Sequence, residues 1–234
     1  MLLSIVIPAR NEEENIFSTV KNLEEKLLNL PHETIIVNDH STDGTVEKTK
    51  DLIQIYPSVK MVHNEKDPGF AQALWTGFRA AAGDGIVVAM ADACDDPSTI
   101  PKMAEKFAEG YDLVCGSRYI KGGGKGGGGP KLQGLFSCLV NKSLRVLFHI
   151  PTTDVSNAFK LYRRRVLLNI KTDEKGFALS MELALKFWRG GYKITDVPTH
   201  WKGRVAGKSK FKFGRAFISY GRQCLNILRR TGYE

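Results

Sequence analysis

The densest chemistry in the chain lies at Met90-Ala91-Asp92-Ala93-Cys94-Asp95-Asp96-Pro97, where three carboxylates fall within five residues. Like charges this close repel unless a cation compensates them, and oxygen donors of this kind suit Mg²⁺ or Mn²⁺ held jointly with a diphosphate. For Asp96, directly before Pro97, capping of a following helix is the simpler use. A second cluster is Asn38-Asp39-His40-Ser41-Thr42-Asp43-Gly44-Thr45. Here Asp39 can accept hydrogen bonds from a ribose or a base edge, while Asp43 or Ser41 can cap the next helix. In a third cluster, Pro8-Ala9-Arg10-Asn11-Glu12-Glu13-Glu14-Asn15, Pro8 is expected to end a strand, and Glu13 and Glu14 to favour a helix N-terminus. No G-x-G-x-x-G accompanies them, which excludes a dinucleotide-binding turn.

Each cluster follows a β-rich run. Strands are expected at residues 3–7, 34–38, 59–63, 85–90 and 111–115. Between them Ile16, Val20, Leu23, Leu27 and Leu30 recur at spacings of 3 and 4, and further helical patterns cover 46–55, 71–82 and 100–108. A βαβα series of this kind demands a mostly parallel sheet covered on both faces, with ligands at the carboxyl ends of the strands. The pattern then changes. Residues 122–129 hold seven glycines, which read as a mobile lid or as a plain linker. Beyond them come a helix at 132–148, strands at 158–162 and 193–197, a helix at 180–188 and a basic amphipathic helix at 215–230.

At 234 residues, 42% hydrophobic and 25% charged, the composition is that of a soluble globular protein and excludes a disordered, collagenous or disulfide-scaffold chain. Cys94, Cys115, Cys138 and Cys224 lie far apart and are read as reduced thiols of a cytosolic protein. No run reaches the ~18 uncharged residues of a membrane span. The net charge of +9 is segregated: residues 1–159 hold 16 Lys+Arg against 20 Asp+Glu, and residues 160–234 hold 18 against 5. A basic final third implies an anionic partner, unless it is only a solvated surface. Nucleic acid is disfavoured, because the carboxylates at the strand tips would repel a phosphate backbone. In the last helix Phe217, Tyr220, Cys224, Ile227 and Leu228 recur at helical spacing among Arg215, Arg222, Arg229 and Arg230. Such a helix either lies in an anionic headgroup layer or packs on the sheet.

The order of these motifs, continued by Gly116-Ser117-Arg118-Tyr119, resembles the family 2 inverting glycosyltransferases of the glycosyltransferase-A fold. The segment 154–159, Glu182, Val197-Pro198 and Arg204-x-x-Gly207-Lys208-Ser209-Lys210 is similar to its polyprenyl-phosphate branch, the dolichyl-phosphate mannose synthase group. The likeness runs from residue 3 to about residue 213. It implies a catalytic unit at 1–213, with a nucleotide-binding half at 1–120 and an acceptor half at 121–213, followed by a basic helix at 214–234. It further implies that Pro8, Arg10, Glu12 and Asp39 line the nucleoside pocket, that Asp92, Asp95 and Asp96 supply metal ligands, and that Arg118 faces the diphosphate. Arg204, Ser209 and Lys210 would meet the acceptor phosphate near Ser137, with Lys131 standing in for a basic residue that relatives carry where this chain has Gln133. The expected activity is transfer of a sugar from a GDP- or UDP-sugar to a polyprenyl or dolichyl phosphate at the cytoplasmic face of a membrane. Membrane helices follow the catalytic region in some relatives, so a membrane-embedded partner chain is a further expected contact. A hydroxyl acceptor, with Asp154 or Glu182 as base, is the alternative. Two departures are visible: Asn38 and His40 replace an Asp and a Gly of the family pattern, and the acidic turn is displaced by one position.

Overall fold

The computed structural model describes residues 1–126, 131–204 and 219–223, with backbone alone at 131–136 and 147. The chain opens with β1 (Leu3–Ala9), α1 (Ile16–Leu27), β2 (His32–Asn38), α2 (Thr45–Ile55), β3 (Val59–His63), α3 (Phe70–Ala80) and β4 (Gly85–Val88). A 3₁₀ turn (Pro97–Thr99) leads into α4 (Ile100–Ala108), β5 (Leu113–Ser117), the two-residue β6 (Gly124–Lys125) and α5 (Lys131–Phe148). β7 (Lys160–Arg163), α6 (Arg164–Leu167), α7 (Leu179–Arg189), β8 (Ile194–Pro198) and β9 (His200–Trp201) follow. Residues 219–223 are helical.

Seven strands form one sheet in the order β3-β2-β1-β4-β7-β5-β8, in which β7 runs antiparallel to its neighbours. Every residue of β1 is buried, as a central strand covered on both faces requires. Leu3, Ile5 and Ile7 join Ile16, Val20 and Leu23 of α1 and Met103 and Phe107 of α4 in one core layer. Val6 points the other way, towards Leu74 and Phe78 of α3 and Leu183 and Phe187 of α7. The mostly parallel, doubly covered sheet matches the expectation. β7 and β8, from the chain's second half, are built into the same sheet as β1 to β5.

Several boundaries differ from the pattern reading. Pro8 does not end β1, because it pairs in register with Val37, while β4 stops opposite Val6 and leaves Pro8 at a local edge. β4 is two residues shorter than expected. β5 starts two residues later than expected, at Leu113, and just before it the Asp112 carboxylate accepts from Arg163 Nε and the Lys193 N–H. The glycine-rich segment is not wholly irregular, since Gly124 and Lys125 pair in parallel with His200 and Trp201. Two of its glycines are required by the backbone. Gly122 has a φ of 86°, and a Cβ on Gly123 would lie 2.5 Å from the Ser117 carbonyl oxygen.

α3 approaches the sheet closely at Gly77, where a Cβ would collide with Val6 and lie 2.9 Å from Cγ2 of Val37. Gly77→Ala should therefore cost about 3 kcal/mol in overpacking. That exceeds the ~1 kcal/mol an alanine adds in helix propensity. A thermal melt should show Tm lowered by about 4–8 °C for the net ~2 kcal/mol; an unchanged or raised Tm would contradict this packing.

Candidate active site

The carboxyl ends of β1, β2, β4, β5 and β8 and the start of the antiparallel β7 all open on one edge of the sheet, so the loops at 10–15, 39–44, 89–97, 118–126, 152–159 and 199–204 converge there. Among the described residues four non-glycines have positive φ, and three sit in these loops: Asn11 (50°), His40 (56°) and Ala93 (58°). Left-handed backbone at a residue with a Cβ costs about 1–2 kcal/mol and collects where a site over-determines the chain. His40 occupies the place where the family pattern has glycine, and its Nε2 meets the Lys66 carbonyl oxygen at 2.8 Å.

The first two loops are cross-linked by acids. Asp43 Oδ1 accepts from the Thr45 backbone N–H at 3.1 Å and so serves α2 as a cap, while Oδ2 takes the Glu13 N–H at 3.2 Å. Glu13 in turn accepts from the Gly44 N–H at 2.7 Å, a bond between loops in addition to any effect on α1. Asp39 is buried, and its carboxylate accepts from Asn64 Nδ2 at 2.7 Å and from the Gly69 N–H at 3.1 Å. Its evident work is to hold the 64–69 loop. Arg10 is exposed at the end of β1, and Pro8 is buried within it.

Glu12 and Asp92 are brought together by Arg204. Its Nη1 and Nη2 donate to the two Glu12 carboxylate oxygens at 3.0 and 3.1 Å, and Nη2 also reaches Asp92 Oδ2 at 3.2 Å. Burial opposes the Arg204 charge, but the Glu12 hydrogen bonds and charge, with Asp92, outweigh it and hold its pKa above the ordinary value. The resemblance implies that Arg204 meets the acceptor; in the structure its hydrogen bonds run to Glu12 and Asp92. Ser209 and Lys210 lie outside the described residues.

Within the acidic turn the three carboxylates have different uses. Asp96 Oδ1 accepts from Ser98 N–H and Oγ and caps the 3₁₀ turn. Asp92 Oδ1 takes the Cys94 N–H, and Asp95 Oδ2 the Met90 N–H. Burial and then the neighbouring Asp92 charge push the Asp95 carboxyl up to about 7, against the opposing Met90 N–H. Among the described residues no three acidic, His or Cys side chains form a closed cation cage. The donor set still fits a divalent ion shared with a diphosphate, which needs only one or two protein carboxylates. The repulsion that raises the Asp95 pKa is what such an ion would relieve.

Directly after β5, Arg118 makes a two-pronged pair with Asp154, Nε to Oδ2 at 2.7 Å and Nη2 to Oδ1 at 2.8 Å, and its backbone N–H adds a third bond at 3.2 Å. Asp154 is 0% exposed. Burial works against the Arg118 charge, and the Asp154 bonds and charge overcome it, raising its pKa. Asn141 Nδ2 completes the carboxylate at 3.2 Å. Ser137 Oγ bonds Ser156 Oγ at 2.8 Å and receives Tyr119 OH at 3.2 Å. Lys131 begins α5, and its side chain lies outside the described atoms. Glu182 does not face this group: it accepts the Asp173 and Glu174 N–H groups and pairs with Lys186 at 2.8 Å.

Sequence reasoning missed the fully buried Lys160, whose Nζ donates to the carbonyls of Val155, at 3.0 Å, and Asn157, and so fixes the turn that carries Asp154. Burial lowers its pKa. A lysine between Phe159 and Leu161 at the start of a core strand was the available signal. Lys125 was also missed, and Tyr119 figures in the sequence only as the last residue of the Gly116-Ser117-Arg118-Tyr119 motif.

The Asp95 pKa generates a test. The folded chain holds this proton more tightly than the unfolded chain, whose value is the ordinary 3.8, so the contribution of Asp95 to stability falls as pH rises from about 4 to about 7 and is flat above. Asp95→Asn keeps an acceptor for Met90 N–H and removes the charge. The ligand-free variant should melt above the parent at pH 8, and the two curves should converge near pH 4.

Comparison with known proteins places this geometry. The family model described as Glycosyl transferase family 2 matches residues 4–170. The chain is 34% identical to a dolichol-phosphate mannosyltransferase of Pyrococcus furiosus, over 99% of this chain and 65% of that protein, so it spans just under two thirds of that relative's length. It is 28% identical to a polyprenol monophosphomannose synthase of Mycolicibacterium smegmatis, over 88% of this chain and 79% of the relative. The solved glucosyl-3-phosphoglycerate synthase of Mycobacterium tuberculosis, in complex with Mn²⁺, UDP and glucosyl-3-phosphoglycerate, superposes with a TM-score of 0.72 at 21% identity, over 100% of this chain and 81% of that one. The sheet is thus that of a glycosyltransferase-A fold, and the chain belongs to glycosyl transferase family 2.

Proposed function

We propose that the chain moves a hexose from a nucleotide-sugar to a polyprenyl or dolichyl phosphate with inversion at the anomeric carbon. The observation that carries this reading is the commitment of both candidate bases. Asp154 is buried in a two-pronged pair with Arg118, and Glu182 is spent on two backbone N–H groups and Lys186. A hydroxyl acceptor would need one of them to take its proton. A phosphate acceptor is already an anion and needs only to be positioned. The names of the relatives at 34% and 28% identity favour the same acceptor class and a mannosyl donor.

Asp92 and Asp95 would hold a Mg²⁺ or Mn²⁺ ion, which when bound offsets the charge that builds on the departing diphosphate. Mn²⁺ and UDP in the fold neighbour support a divalent ion. Glu12 and Asp92 keep Arg204 at the same edge, where its guanidinium adds positive charge beside the diphosphate. Arg118, locked by Asp154, presents its remaining donor face with little loss of side-chain freedom. The nucleoside would lie over the tips of β1 and β2, by Arg10 and Asp39. Among the described residues no helix is long and apolar enough to cross a membrane. We assign the approach to the lipid to the basic final third, at the cytoplasmic face of an anionic membrane.

The test is a transfer assay with GDP- and UDP-sugars, Mn²⁺ or Mg²⁺, and either farnesyl phosphate or farnesol as acceptor. Farnesyl phosphate should be the substrate, EDTA should abolish transfer, and Asp95→Ala should lower the rate by at least ~100-fold, the scale of losing a major electrostatic contact. Full activity in EDTA would remove the metal from the reading, and a preference for farnesol would replace it with the general-base alternative.

A further inference from the structure

Lys125 is the only side chain in the glycine run at 122–129. The β6–β9 ladder holds its backbone, and Gly126 N–H adds a bond to the Trp201 carbonyl at 2.7 Å. From there Nζ lies 2.6 Å from Tyr119 OH and 4.7 Å from the centre of its ring. Among the described residues Lys125 makes no ion pair with a carboxylate.

The direction of the hydrogen bonds is fixed from both ends. An ammonium only donates, so the Tyr119 oxygen accepts, and its own proton goes to Ser137 Oγ at 3.2 Å. At the inner end the Asp154 carboxylate only accepts, so Ser156 Oγ donates to it at 3.4 Å and receives from Ser137 Oγ at 2.8 Å. The relay therefore begins at an exposed cation and ends on a buried anion that Arg118 already neutralises. One of the three Lys125 N–H donors is used on Tyr119, and an oxyanion can engage the others without breaking the relay.

We infer that Lys125, backed by Tyr119 and Ser137, forms the oxyanion subsite that takes the terminal phosphate of the acceptor. This rests on the polyprenyl-phosphate reading above and adds to it a residue from the glycine-rich segment. The composition of that segment then has a chemical reason, because glycines give the backbone its close turn at Ser117 and the single lysine delivers the charge. The short ladder also links the two cations, since β6 holds Lys125 within reach of Tyr119 and β9 leads on to Arg204 at Glu12 and Asp92.

The experiment measures transfer to farnesyl phosphate from whichever nucleotide-sugar the parent protein uses, for Lys125→Gln and Lys125→Arg. A lost charge-assisted hydrogen bond corresponds to a rise in acceptor KM of ~10-fold or more in Lys125→Gln. Donor KM and Tm should stay at the parent values, and Lys125→Arg should return acceptor KM to within ~3-fold. An unchanged acceptor KM in Lys125→Gln, or the same loss in both variants together with a lowered Tm, overturns the assignment while parental transfer to farnesyl phosphate leaves the broader reading intact. If the parent protein itself uses farnesol and not farnesyl phosphate, both fall together.

Discussion

The buried charge of Asp154 is the constraint around which this site is arranged. A carboxylate with no exposed surface is tolerated only when its charge is paired and its lone pairs are filled. Arg118 supplies three of those bonds and Asn141 a fourth. Each partner then inherits a fixed position. Arg118 is pinned at the tip of β5, Asn141 ties in α5, and Lys160 clamps the carbonyls of the turn that carries Asp154. Removing either member of such a pair strands the other, so the loop at 152–159 and the strand it approaches behave as one unit.

The acidic turn is less fully compensated: Arg204 pairs with Asp92, and only the Met90 N–H and the charge of Arg118 offset the burial of Asp95. Burial first and the Asp92 charge second raise the Asp95 pKa, and Arg204 pairs with Asp92 and Glu12. The backbone there is held at Ala93 in a conformation that alanine disfavours. Strain and excess negative charge therefore coincide at one turn, whereas the Asp154 side is closed and satisfied. A site divided in this way has a side that a cationic ligand stabilises and a side that is preorganised without one. That division suits a reaction in which the donor brings a diphosphate and a metal, and the acceptor is already charged.

The strand-tip logic was legible in the sequence because parallel βα units place their functional residues immediately after each apolar run. The acidic turn and the Asp39 loop follow from that rule, whereas Arg118 at the end of β5 comes from the family resemblance. The rest was not legible, for separate reasons. Asp39 and Asp96 can serve either a ligand or the backbone, and only neighbouring N–H groups from Gly69 and Ser98 reveal which use the fold makes of them. Arg204 was assigned by motif to the acceptor, but its partners are fixed by tertiary geometry. Lys125 vanished into the low complexity of its surroundings, and its role emerges only when β6 pairs with β9. Pro8 within β1 shows the same limit: whether a proline ends a strand depends on how far the neighbouring strand extends.

The segregation of charge along the chain now has a structural counterpart. Arg204 and Glu12 are 192 residues apart, and the bridge between them joins the acidic first portion to the basic last portion at the carboxyl edge of the sheet. The backbone repeats the connection, with Lys202 N–H on the Cys94 carbonyl at 2.8 Å and Trp201 bridged to Asp95. Glu12 and Asp92 are therefore paired with Arg204 only when the segment after β8 has folded back onto the acidic turn. This edge rests on contacts between residues far apart in sequence, whose closure costs more chain entropy than the short connections of the local βα units.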